Sequence, residues 1–232
     1  MNSLNRGNSF AALLITNLLI AGLASAAWTL EELGEGSGAG AREFTPWWNL
    51  QWLFRRPVTI SNTAGSQELS KYQVLIKVTY DSDMKSDFSD LRFVRYDSSS
   101  DQHIELPYYL EKKVDGIGAN FTVRVDKIPR ASETTIYMYY GNPAASSNSS
   151  GEATFEFFDD FEDGDVSDWV ITNGDGINKA DSTAPYQGSY SHFVDAGSAD
   201  LRVKKSINPP VSVPYVFEVM AMDTSAYMAH KP

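Results

Sequence analysis

The chain has 232 residues, room for about two small domains, and 42 % of them are hydrophobic, enough apolar material for packed cores. Acidic residues outnumber basic ones by 30 to 19, a net charge of −11. Nucleic acid is thereby disfavoured as a partner, since phosphate recognition needs a clustered positive stripe. With no cysteine and only three histidines, there is no disulfide framework, no thiolate metal site and no cysteine nucleophile.

Residues 1–26 carry no acid and one base, Arg6, followed by an apolar run from Phe10 that ends in Ala24-Ser25-Ala26. A base, an apolar stretch and a small-x-small end are the parts of a secretory signal, with cleavage expected between Ala26 and Ala27. The alternative is an uncleaved membrane anchor, because the uncharged stretch approaches the ~20 residues that span a bilayer. Either way the remainder is expected outside the cytoplasm, extracellular or at the cell surface. Residues 27–46 are Gly-rich and read as a leader or tether.

Residues 47–143 read as strand after strand. Tyr72–Tyr80 alternates, with Tyr72, Val74, Ile76, Val78 and Tyr80 on one face. Val58–Ile60, Leu91–Tyr96, Ile104–Leu110, Ala119–Val125 and Thr134–Tyr140 do the same, separated by turn chemistry such as Asp97–Asp101 and Asp115-Gly116. The expected fold is all-β, an antiparallel β-sandwich. Residues 144–152, rich in Ser and Asn, read as a linker. A second series follows in 153–232, at Phe155–Phe161, Trp169–Ile171, Ser189–Val194, Leu201–Lys205 and Tyr215–Ala221. It is expected to form a partial, jelly-roll-like β-sandwich, as though a longer protein had been cut short.

The phrases LFRRPVTISN (Leu53–Asn62), YQVLIKV (Tyr72–Val78), SDFSDLRFV (Ser86–Val94), LPYYLE (Leu106–Glu111) and TTIYMYYGNP (Thr134–Pro143) resemble, in order, the domain of unknown function 2341 family. The resemblance implies a β-sandwich of secreted archaeal and bacterial proteins, often found beside concanavalin A-like or laminin-G-like jelly rolls. The segment FFDDFEDG (Phe157–Gly164), with Trp169 and Gly188–Ser191, is similar to the opening of such a jelly roll. The chain departs from the family where Tyr109 replaces a common Trp and where the Asp97–Asp101 loop replaces an Asp-Gly turn. The family has no established activity, so the resemblance implies a fold and a location and no catalytic residue.

Four groups of side chains are candidates for chemistry. Tyr137 and Tyr139 fall on the face of their strand opposite Ile136, Met138 and Tyr140, about 6.6–6.8 Å apart, a spacing suited to a saccharide. Trp47, Trp48 and Trp52 would form a second patch. The competing readings are that these rings seal the sandwich, or that Trp47-Trp48 docks the leader on the sheet. Asp160, Glu162, Asp163 and Asp165 supply the hard oxygens that a structural Ca²⁺ requires; the competing reading is an acidic turn around Gly164. No other cofactor is expected. Asn120 and Asn148 lie in Asn-x-Ser/Thr sequons and are the candidate glycan acceptors. Finally, the cluster Asp81, Asp83, Asp87 and Asp90 fails the helical calcium-loop pattern and reads as turn-building carboxylates. With no paired-carboxylate phrase of the glycosidase type, the expected function is a non-catalytic surface protein that binds a polysaccharide, glycoprotein or other surface polymer. The alternatives are a structural or adhesive subunit that self-associates through an unpaired edge strand, and the front part of a secreted glycosidase.

Overall fold

The computed structural model describes residues 14–17, 25–27, 45–196, 200–207 and 216–221. Most of the Gly-rich leader, and the parts of the 1–26 segment beyond Leu14–Asn17 and Ser25–Ala27, lie outside the described residues. The chain divides into two compact units, Ile20–Thr154 and a second made of Met1–Leu19 with Phe155–Pro232.

Strands are numbered in chain order, with β1 at Leu14–Asn17. The Ile20–Thr154 unit is a β-sandwich. One sheet holds β2 (Ser25–Ala27), β3 (Phe54–Ser61), β5 (Arg92–Asp97), β6 (Gln102–Leu106) and β9 (Glu133–Tyr140), in the order β2-β3-β9-β5-β6. The other holds β4 (Leu69–Thr79), β7 (Tyr108–Val114) and β8 (Gly118–Ile128), in the order β4-β8-β7. Every pairing is antiparallel. The inward residues come from strict alternation. Val74, Ile76 and Val78 of β4 meet Phe121, Val123 and Val125 of β8, and from the facing sheet Val58, Ile60, Phe93, Ile136, Met138 and Tyr140 close on them. Phe121 is the hub, with ring centroids of Phe88, Phe93 and Tyr108 at 6.5, 5.6 and 5.7 Å.

The alternation at Ile104–Leu110 predicts one strand, and the structure makes two. Pro107 has no N–H to give a ladder, and there the chain leaves one sheet as β6 and enters the other as β7. Leu106 and Tyr108 nevertheless both point into the core. Pro107 keeps its carbonyl in use by accepting from the Arg124 amide at 2.9 Å.

The segment 144–152, read as a linker, is instead a strap bonded along the rim of the sandwich. The Ser150 amide donates to the Tyr108 carbonyl at 2.8 Å, and the Leu110 amide donates to Ser149 Oγ at 2.8 Å. The Asn148 amide donates to the Tyr108 hydroxyl at 3.1 Å. The Ser149 hydroxyl and the Asn148 and Ser150 amides thus bond the sandwich, and a single turn, α1 (Gly151–Thr154), ends the unit.

Among its described residues, the second unit forms three small antiparallel sheets. β1 lies between β10 (Phe158–Asp159) and β15 (Val216–Val219), β11 (Val170–Asn173) pairs with β14 (Arg202–Lys204), and β12 (Ile177–Asp181) pairs with β13 (Ser191–Asp195). The expected strand Phe155–Phe161 shrinks to two residues, because Phe161 turns to φ 62° and the carboxylates beside it bond local amides. β12 escapes sequence reading because only Ile177 and Ala180 in it are apolar. No helix among the described residues is long and apolar enough to cross a membrane.

Truncation of Phe121 to Ala removes the ring that touches three others. The expected loss is about 3–5 kcal/mol of unfolding free energy, read by urea denaturation of the sandwich unit.

Candidate functional site

The aromatic residues before β3 form an arm that lies against the outer face of the five-stranded sheet. Trp48 and Trp52 pack on Tyr139 and Val94 in a small second core. The Trp47 and Trp48 rings stand edge-on to Tyr139 at 5.4 and 5.5 Å, and the Trp48 amide donates to the Tyr139 hydroxyl at 3.1 Å. Arg55 is the clasp. Its guanidinium lies 4.8 Å from the Trp47 ring centroid and 4.6 Å from that of Tyr137. It donates to the carbonyls of Thr45 and Pro46, at 2.9 and 3.0 Å, and to the Tyr139 hydroxyl at 3.1 Å. His103 Nε2 donates to the same Pro46 carbonyl at 3.0 Å.

Tyr139 is therefore wholly buried, and the Tyr137–Tyr139 strip does not form an open saccharide platform. Tyr137 is half-buried, with its hydroxyl 3.0 Å from Thr45 Oγ1 and its ring against Arg55. The cause is the arm: two outward tyrosines on a strand make a flat apolar surface, and the chain's own tryptophans cover it. Trp47 and Trp48 pack their own segment on the sheet; of the leader only Ala27, Thr45 and Pro46 are among the described residues.

An open surface survives beside the arm. A cleft of about 540 Å³ runs between Leu50–Leu53 and the Gly141–Ser146 turn that follows β9, with Arg92 also on its wall. Such a volume lies within the ~300–1,000 Å³ range of ligand sites. Leu50 is 84 % exposed and Leu53 64 %, whereas Trp52 beneath them is buried. Arg92 lends the cleft little charge, because its guanidinium is used. It donates to the carbonyls of Leu91, Ser89 and Ser146 at 2.6, 3.3 and 2.7 Å and to the Tyr108 hydroxyl at 3.3 Å. Glu105 lies 3.5 Å from its Nε, and the plane sits 5.3 Å from the Trp52 centroid.

One buried carboxylate sets the cleft. Asp90 is fully buried, its Oδ1 accepts from the Lys85 amide at 3.1 Å and its Oδ2 from the Gly141 amide at 2.7 Å. Its main-chain carbonyl accepts from Trp52 Nε1 at 2.6 Å. The Asp81–Asp90 loop, the turn after β9 and the arm thus meet on a single residue. Gly141 has φ 85°, and a Cβ there would come within 2.5 Å of the Phe54 ring, so no other residue fits that turn. Asp81 and Asp87 behave as turn builders too, accepting from the amides of Asp83 and Ser89 at 3.0 and 3.1 Å. Asp81 also pairs with Arg56.

In the Phe155–Pro232 part, the four carboxylates proposed for calcium are held by nearby amides. Asp160 accepts from Glu162, Asp163 from Asp165, and Asp165 from Ser167, at 3.2, 2.9 and 2.7 Å. Glu162 caps a different loop, taking the amides of Ser189 and Tyr190 at 2.8 Å each. Burial raises the Asp160 carboxyl above its ordinary value, while the Ser167 bonds lower that of Asp165. Among the described residues no three His, Asp or Glu side chains are grouped to hold a metal ion.

Sequence reading missed a cluster in the same unit. His192 lies between Phe161 and Trp169, both with ring centroids at 5.0 Å, and its Nε2 meets Asn178 Oδ1 at 2.6 Å. Lys205 bridges Asp159 and Asp168 at 2.7 and 2.5 Å, and Asp159 also accepts from Trp169 Nε1. The only available signal was the lone histidine in an alternating strand.

Of the two sequons, Asn148 is exposed on the strap, although its Nδ2 donates to Glu105 at 2.9 Å. Asn120 is half-buried within β8, opposite Lys77 and Lys112. Ala26 and Ala27 lie within β2, opposite Ile60 and Thr59.

Residues 87–172 match the model of DUF2341, a domain of unknown function. The match begins beyond the phrases at Leu53–Asn62 and Tyr72–Val78. It then takes in β5 through β9, the strap, α1 and the first residues of the second unit. No curated protein and no solved structure matches the chain.

Two outcomes follow. In Asp90→Asn one carboxylate oxygen becomes an NH₂ that faces an amide N–H, donor against donor, so the sandwich is expected to lose about 2–3 kcal/mol, read by urea denaturation. Burial lowers the His192 pKa from 6.5 to about 4, with Asp159 and Asp168 pulling weakly the other way. The unfolded chain therefore binds the proton first. Stability is full above pH 6.5 and falls as pH drops towards 4, by up to about 3 kcal/mol. The Asp181 carboxyl, lowered to about 2, gives way only below that window. Thermal melts between pH 7 and 4 should show the slope, and His192→Phe should flatten it.

Proposed function

We propose that the protein is an exported, non-catalytic binding module, and that its recognition surface is the cleft beside the aromatic arm. The carrying observation is the exposure of Leu50 and Leu53 over a buried Trp52, in a concavity whose one cation is already bonded. Leu50, at 84 % exposure, buries little of its surface in the fold, and apolar rims around a concavity mark contact sites. Gln51 and Asn142 add neutral polar side chains, whereas the Gly141 amide and the Ser146 carbonyl of the turn are already bonded to Asp90 and Arg92. A neutral ligand with apolar faces and hydroxyls, such as a surface polysaccharide, suits that lining better than an anion, which would need a free cation. Export is supported by the form of residues 1–26.

A second reading, a structural or adhesive subunit, is favoured by the same leucines, since aliphatic rims also suit protein contacts.

A glycan array probed with the exported chain tests the first reading. Leu53→Asp is expected to weaken binding at least tenfold while leaving the melting temperature within a degree or two, because the side chain is mostly exposed. Absence of binding to every polysaccharide, or binding unchanged by the substitution, would refute it.

A further inference from the structure

The fold treats the two Asn-x-Ser/Thr sequons differently. Asn120 lies in β8, the central strand of its sheet, opposite Lys77 of β4 on one side and Lys112 of β7 on the other. Its sequon ends at Thr122, which is buried and whose hydroxyl donates to Glu111. An enzyme that grips asparagine and the hydroxyl two residues on would have to pull β8 out of both ladders. Such an opening approaches the unfolding of the whole sheet.

Asn148-Ser149-Ser150 lies in the strap, outside any strand or helix, with Asn148 exposed and Ser150 half-buried. The strap is tied to the sandwich by single hydrogen bonds to Tyr108 and Leu110. Each contributes about 0.5–1.5 kcal/mol, so this segment opens locally while the sheets stay closed. The Asn148 side chain also has a hydrogen to spare. Its Nδ2 carries two, and among the described residues one bond is made from it, to Glu105 Oε1 at 2.9 Å. Ser150 Oγ accepts from the Ala153 amide at 3.2 Å, which leaves the hydroxyl proton able to donate.

We infer that Asn148 is a glycan acceptor modified on the folded, exported chain, and that Asn120 is passed over. The donor is an oligosaccharide activated on a lipid phosphate. Nδ2 loses one proton and bonds the anomeric carbon of the sugar, the bond from that carbon to the phosphate oxygen breaks, and the lipid phosphate leaves with the electron pair. The hydrogen that remains on Nδ2 keeps the bond to Glu105, and the main-chain ties of the strap are untouched. The inference rests on the export reading above, because sequon glycosylation belongs to secreted chains. It is independent of the cleft.

The test has two arms. In the first, the purified full chain is incubated with an oligosaccharyltransferase and its lipid-linked donor, beside the same chain already digested with trypsin. Release of the glycan leaves aspartate in place of the modified asparagine, which peptide mass mapping locates. The expected result is addition at Asn148 alone in the intact chain and at both sequons in the peptides. Ser150→Ala should abolish addition at Asn148, and Ser150→Thr, which restores the hydroxyl, should retain it. Addition at Asn120 of the intact chain overturns the inference, as does a bare Asn148 or addition that survives Ser150→Ala. In the second arm the chain is expressed with its own leader in an exporting host that glycosylates sequons, and the recovered protein should carry the glycan at Asn148. An exported chain bare at Asn148 overturns the inference alone. A chain that fractionates with the cytoplasm overturns the export reading and, with it, the modification in the cell.

Discussion

The carboxylate of Asp90 is the constraint on which the candidate site depends. Removing a charged group from water is costly unless hydrogen bonds replace hydration. Here two main-chain amides, from Lys85 and Gly141, supply them. Each donor belongs to a different segment, and the Trp52 indole joins a third through the Asp90 carbonyl. These segments come from distant parts of the sequence, and their own turns do not fix how they lie against one another. A buried acceptor with two oxygens ties them, joined by the Arg92 guanidinium, which bonds the Ser146 carbonyl and lies against the Trp52 ring. The cleft is the space left between segments so tied.

The outer face of the same sheet shows how polar groups decide which aromatics remain available. Tyr139 is an apolar ring with one hydroxyl, and both parts are used, the ring by Trp47 and Trp48 and the hydroxyl by the Trp48 amide and Arg55. Arg55 then caps Tyr137 and Trp47 together. A cation between two rings, bonded to carbonyls at its edges, satisfies the guanidinium without a carboxylate. The apolar surface that alternation sends outward on β9 is thus consumed locally, and the exposed apolar residues move along the chain to Leu50 and Leu53.

The sandwich was legible because its signal is periodic and strong. Within β4, β8 and β9 the stretches Val74–Val78, Ala119–Val125 and Ile136–Tyr140 place an apolar side chain at every second position, and those are residues of the core. What alternation could not locate was Pro107, where the inward pattern continues unbroken while the hydrogen-bond partner changes sheets. Nor could it tell a linker from the strap, since serines that bond water and serines that bond Tyr108 and Leu110 look alike in sequence. The site was less legible still. Which face of β9 meets solvent depends on an arm that arrives from elsewhere, and Asp90 is one aspartate among several in its loop. The second series lacks long alternation, and its strands are short for that reason.

The acidic phrases of the two units share one local device. In Asp87-Phe88-Ser89 and in Asp160-Phe161-Glu162, the aspartate accepts from the amide two residues on, and the phenylalanine between takes φ 60° or 62°. A left-handed conformation costs a bulky residue about 1–2 kcal/mol. Both rings are almost completely buried, Phe88 against Tyr80 and Phe121, and Phe161 against Trp169 and His192. Burying such a ring contributes about 1.5–3 kcal/mol, enough to offset the strained backbone, with the aspartate bond fixing the turn that aims the ring inward. A run of carboxylates beside phenylalanine thus has a folding role in each unit. The two aspartates that follow then diverge: Asp90 is carried into the interior to tie three segments, whereas Asp163 stays at the surface and bonds its own turn.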